Sequence, residues 1–311
     1  VIGIGNEASE VRTIGFEDIA AVVSNSPFMV YDSVAKEQTV KDLITHQFVI
    51  EKVMQHFTIL PVKFGTMVET EDEVIAFLEK GYALLCDELS KVQGKIELDI
   101  VASWDLPKVL ATIRHIPHIQ EKQQELAMKG AKVSVEDKVA LGVLIDQTLK
   151  ITKAEYHQLI LRMLKEGVVD VRLHNMASDE MIFNAAFLLE KKNEESFNRL
   201  VDNLDQKLEN TVHFRVVGPL PVYSFSTILL ERVDPGTFEE AKQIFGLNGE
   251  ITDKMVRDAY RQLAQKSHPD KNGGANSTNF HAIHSAYKTL INVIENGLMH
   301  VKVYQWEKDV T

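Results

Sequence analysis

Residues 252–291 read "TDKMVRDAYRQLAQKSHPDKNGGANSTNFHAIHSAYKTLI". The apolar period in this stretch predicts two helices joined by a loop. In the first helix Met255 or Val256, Ala259, Tyr260 and Leu263 share one stripe. Thr252 stands in an N-cap position and Asp253 in the first turn, where the helix dipole favours an acid. In the second helix Phe280, Ile283, Tyr287 and Leu290 recur at helical spacing. Pro269 cannot continue the first helix, so "HPDKNGG" is a loop. Two such stripes across a short loop predict an antiparallel helix hairpin closed over a small core. A shorter helix, "FEEAKQIFGL" (238–247), precedes it, and the turn at "DPG" (234–236) marks the boundary to the rest of the chain.

Upstream, the patterning alternates between the two periods. "FEDIAAVVS" (16–24) reads as a strand. From Ser33 to about Phe57 the spacing predicts a helix with Val40, Leu43, Ile44, Phe48, Val53 (or Met54) and Phe57 on one core-facing stripe. "TILPVKFGTMV" (58–68) reads as a strand, residues 70–94 as an amphipathic helix, and "KIELDIVASW" (95–104) as an alternating strand. Pro107, Pro117 and Gly130 interrupt residues 105–133, and a long helix follows from about Val135 to Lys165. Then come "VVDVRLHNM" (168–176), "MIFNAAFLLE" (181–190), a charged helix at 193–209, and "TVHFRVVGPLPVYSF" (211–225), followed by "STILLERVD". The expected fold class is α+β: two ferredoxin-like domains, 1–104 and 105–235, and then an all-α hairpin module with a tail, 236–311.

Composition limits what such a chain does. With 45% hydrophobic and 25% charged residues it is an ordinary globular sequence. A formal charge of −11 argues against nucleic acid as a bulk partner. Cys86 is the only cysteine, which leaves no internal disulfide and no thiolate metal cluster. Apolar runs such as "VALGVLI" (139–145) are too short to span a bilayer, and no secretion signal opens the chain, so a cytoplasmic protein is expected. The first residue is Val1, so the natural amino terminus is expected to precede it.

The hairpin carries a resemblance. "AYRQLAQKSHPDKNGG" followed by "FHAIHSAYKTL" resembles the J-domain of the DnaJ co-chaperones. The resemblance implies docking to an ATP-driven chaperone of the DnaK type and stimulation of its ATP hydrolysis, with no chemistry on the module itself. The implied docking residues are His268, Pro269 and Asp270 in the loop, with Arg257, Arg261 and Lys254 on the preceding helix. Asp270 offers an acceptor-only carboxylate suited to a partner arginine. Asp258 and Gln262 stand where that family often has basic residues, and Ser267 where it has an aromatic, which dilutes the basic footprint.

A second resemblance covers residues 1 to about 232. "HQFVIEKVMQHFTILPVKFGTMV", "NAAFLLEKKNEESFNRLVDNL" and "HFRVVGPLPVYSF" are similar to segments of the gas vesicle proteins GvpF and GvpL. Leu220 and Val222 depart mildly from that pattern. Membership implies a gas-vesicle-associated accessory protein that contacts the small hydrophobic shell protein and other vesicle accessory proteins. Phe64 and Tyr223 are the candidate shell-binding residues, although Pro61, Phe64, Gly65, Gly218, Pro219 and Tyr223 are also types that shape turns and pack cores. A rival reading makes the chain a minor structural or nucleation component whose hairpin only docks onto the main body.

An enzyme is not expected. The pairs His115/His118 and His281/His284 fall short of a zinc ligand set. No phosphate loop or nucleophile elbow is present. No cofactor and no membrane partner are expected.

Overall fold

The computed structural model describes residues 3–4, 9–27, 29, 31, 34–208, 211–267 and 277–306. It is an α+β protein. The helices are α1 (Lys36–Met54), α2 (Glu71–Val92), α3 (Leu106–Ile113), α4 (Pro117–Lys129), α5 (Val135–Leu164), α6 (Glu194–Leu208), α7 (Pro235–Ile244), α8 (Asp253–Ser267) and α9 (Ser277–Asn296). The strands are β1 (Val11–Phe16), β2 (Ile19–Ser24), β3 (Lys95–Trp104), β4 (Asp170–Leu173), β5 (Met181–Glu190), β6 (Val212–Leu220), β7 (Thr227–Arg232) and β8 (Met299–Tyr304). The chain divides into two compact units, one of residues 1–46, 62–87 and 228–303, the other of 47–61, 88–227 and 304–311.

The second unit is built on a four-stranded antiparallel sheet of order β4-β5-β3-β6. Taken along the chain, the sheet reads strand, helices, strand, strand, helix, strand, which is the ferredoxin-like arrangement. Alternation sets its faces. Ile96, Leu98, Ile100, Ala102 and Trp104 of β3 point to one side and join Phe183, Phe187, Phe197, Val201 and Leu204 in the main core. Ile160 and Leu164 close that core from α5. The N-terminus of α5 is fixed by a capping box between Ser134 and Asp137.

This sheet runs across the expected boundary at 104/105. Among the described residues it is one ferredoxin-like sheet, spanning 95–220, and β3 lies at its centre. The boundary at 104/105 therefore cuts hydrogen-bonded neighbours. Strand pairing is non-local, and an alternating run carries no mark of the partner it will find.

In the first unit, residues 16–24 form part of a hairpin of β1 and β2 that turns at Glu17, whose φ is 51°. Tyr82 of α2 holds that turn, its hydroxyl donating to Asp18 at 2.7 Å with its ring against Phe16. The expected strand at 58–68 contributes only an isolated parallel bridge, Val62 to Ile228.

The face of α1 is also a correction. Val40, Leu43, Ile44 and Phe48 were expected in the core, yet Ile44 is 65% exposed and the other three are nearly half exposed. The inward side carries Gln38, Asp42, His46, Val49 and Val53. Asp42 is buried because the Tyr31 hydroxyl and the Gln38 amide both donate to it, at 3.2 and 2.9 Å. No helix among the described residues is long and apolar enough to cross a membrane.

Candidate functional site

The helical module has a core of its own. Ala241 of α7, Phe245 at its C-cap, Val256 of α8, and Ile283, Ala286 and Leu290 of α9 are buried together. Of the two residues that fitted the stripe, Val256 turns inward and Met255 stays exposed. The rings of Tyr260 and Tyr287 stack at 4.3 Å, and the Tyr260 hydroxyl lies 3.3 Å from Nδ1 of His284. This is the predicted hairpin, closed by α7.

Lys254, Arg257 and Arg261 all lie on the exposed side of α8. Arg257 Nε donates to both carboxylate oxygens of Asp253, at 2.8 and 2.7 Å, and Arg261 reaches Asp258 at 3.3 Å. The two arginines are thus already paired within their own helix. Such exposed pairs are worth little, so an acidic partner can displace them at small cost. His268, Pro269 and Asp270 lie outside the described residues.

The second cluster of polar groups gathers around "VYSFST" (222–227) in the second unit. The Ser224 N–H and hydroxyl both donate to the Glu97 carboxyl, each at 2.8 Å. Ser226 donates to Glu88 at 2.7 Å, and Tyr223 donates to Gln47 at the same distance. His174 Nε2 lies 3.1 Å from Ser224 Oγ, and because that hydroxyl gives its proton to Glu97, the imidazole is the donor there. Trp306 lies against the cluster, its backbone N–H donating to Ser224 O at 3.0 Å and its ring 4.7 Å from that of His174.

Burial governs the charges here. Glu97 is 1% exposed, and desolvation, followed by the neighbouring Asp99, pushes its carboxyl up to about 8. Burial raises Asp99 as well and lowers His174, while Tyr223 is pushed up to about 12 by burial and then by Glu51 and Glu97. The serine, histidine and carboxylates form no nucleophile triad, since Ser224 is itself 2% exposed and its proton points to Glu97. What they do is lock the loop that follows β6 onto β3.

The candidate shell-binding residues share that architectural character. Tyr223 is half-buried through its bond to Gln47. Phe64 is half-buried in the other unit, with its ring 4.5 Å from Tyr31 and 5.5 Å from His46. The histidine pairs do not converge: His118 meets Thr148 at 3.1 Å and His284 meets Tyr260. Among the described residues no group of three or more His, Cys, Asp or Glu could hold a metal ion.

Sequence reading missed Glu97, Asp99, His174 and Trp306. The one available signal was the alternation in "KIELDIVASW", which places Glu97 and Asp99 on one face. That face reads as solvated until the loop at 222–227 is folded over it.

The family model for gas vesicle synthesis protein GvpL/GvpF matches residues 1–227. The chain belongs to that family. The model for the DnaJ domain matches residues 243–294, the segment of α8 and α9. The chain is 29% identical over 191 residues to gas vesicle protein F of Nostoc sp. (strain PCC 7120), covering 60% of this chain and 78% of that protein. It is also 29% identical over 227 residues to gas vesicle protein F of Streptomyces sp. (strain CB03234), covering 72% of this chain and 90% of that one. The crystal structure of GvpF from Anabaena sp. PCC7120 superposes with a TM-score of 0.61 at 25% identity, over 72% of this chain and 91% of that one. That of GvpF from Microcystis aeruginosa gives 0.55 at 23% identity, over 72% and 90% of the two chains, and bears on the fold alone. The family region thus accounts for the ferredoxin-like sheet and its loop, and the DnaJ domain for the hairpin.

Proposed function

We propose that this chain is a cytoplasmic gas vesicle assembly factor: its GvpF/GvpL region binds the small apolar shell protein, and its DnaJ domain recruits a DnaK-type chaperone. The observation that carries this reading is the presence of both regions in one chain, at 1–227 and 243–294. The physical logic is direct. A small apolar subunit aggregates before assembly unless its surface is covered, and an ATP-driven chaperone beside the binder supplies the energy for controlled release. No catalytic step on this chain is part of the reading, and neither a cofactor nor nucleic acid is needed.

In this reading His268, Pro269 and Asp270 make the decisive contacts with the chaperone, with Lys254, Arg257 and Arg261 steering its acidic surface once Asp253 and Asp258 are displaced. The test is single-turnover ATP hydrolysis by a DnaK-type chaperone with and without this protein. Stimulation of about tenfold or more is expected, falling to baseline for His268→Gln. No stimulation by a protein whose module is folded would overturn the recruiting role and favour the rival, a vesicle component whose hairpin is architectural.

For the shell protein, the exposed apolar side chains of α1 offer the open surface, while Phe64 and Tyr223 each shape the fold of their own unit. Ile44→Glu and Phe48→Glu should each weaken capture of purified shell protein by about tenfold while changing the melting temperature little, because Ile44 is mostly and Phe48 about half in water. Equal capture by both variants would remove α1 from the binding surface.

A further inference from the structure

The helical module is fixed at both ends by one small sheet. β7 leads into it, β8 leads out of it, and the two strands are hydrogen-bonded neighbours. Only Val233 and Asp234 separate β7 from α7, and only Gly297 and Leu298 separate α9 from β8. Across this base the Val233 N–H donates to Leu298 O at 2.8 Å, so pairing continues to the point where the module begins.

Both junctions are themselves shaped. Asp234 caps α7 by accepting from the Thr237 N–H at 2.8 Å, with Pro235 in the first turn. Gly297, at φ 80°, ends α9 while its N–H returns to Val293 O at 2.8 Å. β8 is seated by more than its ladder. Lys302 donates to Glu231 at 2.7 Å, and Val301 packs so closely on Gly81 of α2 that a Cβ there would come within 2.7 Å of it. On the other side of β7, the Lys63 N–H donates to Ile228 O at 2.9 Å.

Modules joined by flexible linkers move independently, and two-residue junctions closed by a ladder bond leave no such freedom. β8 also lies beyond both matched regions, 1–227 and 243–294. We infer that β8 is a strap: the segment after α9 converts a module that would hang from one strand into one mounted at two points on the rest of its unit. Whatever the module engages is then held at a set orientation, and releasing β8 is the step that frees it. This mount does not depend on the module engaging a chaperone.

Time-resolved fluorescence anisotropy on the full chain tests it, with a dye on Lys288→Cys in a Cys86→Ser background. The intact chain should show only slow tumbling with the rest of the unit. A chain ending at Asn296, and separately Val301→Lys, should add a fast component of a few nanoseconds. Hydrogen exchange at the Val233 amide should rise about tenfold in both, while the amides of α8 and α9 keep their protection because that core is separate. A fast component already present in the intact chain would overturn the strap, as would unchanged motion and unchanged Val233 exchange in Val301→Lys. Chaperone stimulation measured alongside distinguishes the two readings: a rigid module that stimulates nothing sinks recruitment and leaves the strap standing.

Discussion

Glu97→Gln should make the protein's stability nearly independent of pH across the range in which the parent protein weakens. The folded-state value of Glu97 is raised from 4.5 to about 8, so the folded protein keeps a proton that the unfolded chain gives up. The associated stabilisation is complete below about 4.5 and is lost as pH rises through about 8. At full titration the loss is on the order of 5 kcal/mol. Glu97 accepts from the Ser224 N–H with one oxygen and from the Ser224 hydroxyl with the other, so the side-chain amide introduced by this substitution keeps one of the two bonds and turns a non-titrating NH2 group to the remaining side. The groups facing Glu97 are Asp99 on its own strand, His174, and Ser224 and Tyr223 on the loop. Burial lowers His174, which is therefore neutral through the upper part of the window, and holds Tyr223 near 12, above it. Thermal unfolding of both proteins from about pH 5 to pH 9 decides the matter. Melting temperatures that fall in parallel would place the pH sensitivity elsewhere.

Gly218→Ala should cost roughly 2–4 kcal/mol, a large loss for one methyl group. Gly218 has φ 143°, outside the regions open to L-residues, and a Cβ there would come 2.6 Å from Leu98 Cδ2 and 2.9 Å from Glu97 O. Neither neighbour can retreat, because Leu98 is in the core and the Glu97 carbonyl belongs to the central strand. Gly246→Ala is the matched control. It also has positive φ, at 63°, but no atom within 4 Å of the new Cβ, and should cost only about 1 kcal/mol. Urea unfolding midpoints of the two variants give the comparison, and equal midpoints would show that the packing around Gly218 yields.

These two positions show why the site was only partly legible beforehand. "GPLPVYSF" stood out as a motif and Gly218 within it as a turn former, but nothing local said which strand the turn would press against. Glu97 and Asp99 look like any polar residues of a half-exposed strand. The burial of Glu97 follows from Ser224, 127 positions away in sequence, closing over it. Tyr223, singled out as a binding residue, is engaged with Gln47 across 176 positions.

The sequence by itself determined most of the element types, though not the strand expected at 58–68, together with the hairpin of α8 and α9 and the two families, since these rest on local period, caps and short motifs. β3 and β5 fall on the residues their alternating and apolar runs marked. Tertiary structure alone decided that β3 is the centre of one sheet, that α1 turns Asp42 inward and Ile44 outward, and that the tail after α9 returns as β8. The physical reason is common to all three. A period states that a face is apolar or polar, while burial depends on which distant segment arrives to cover it. For α1 the hydroxyl of Tyr31 made an acid the better inward residue. For β3 and β8 the neighbouring strand fixed the outcome through backbone hydrogen bonds, to which side-chain pattern is blind.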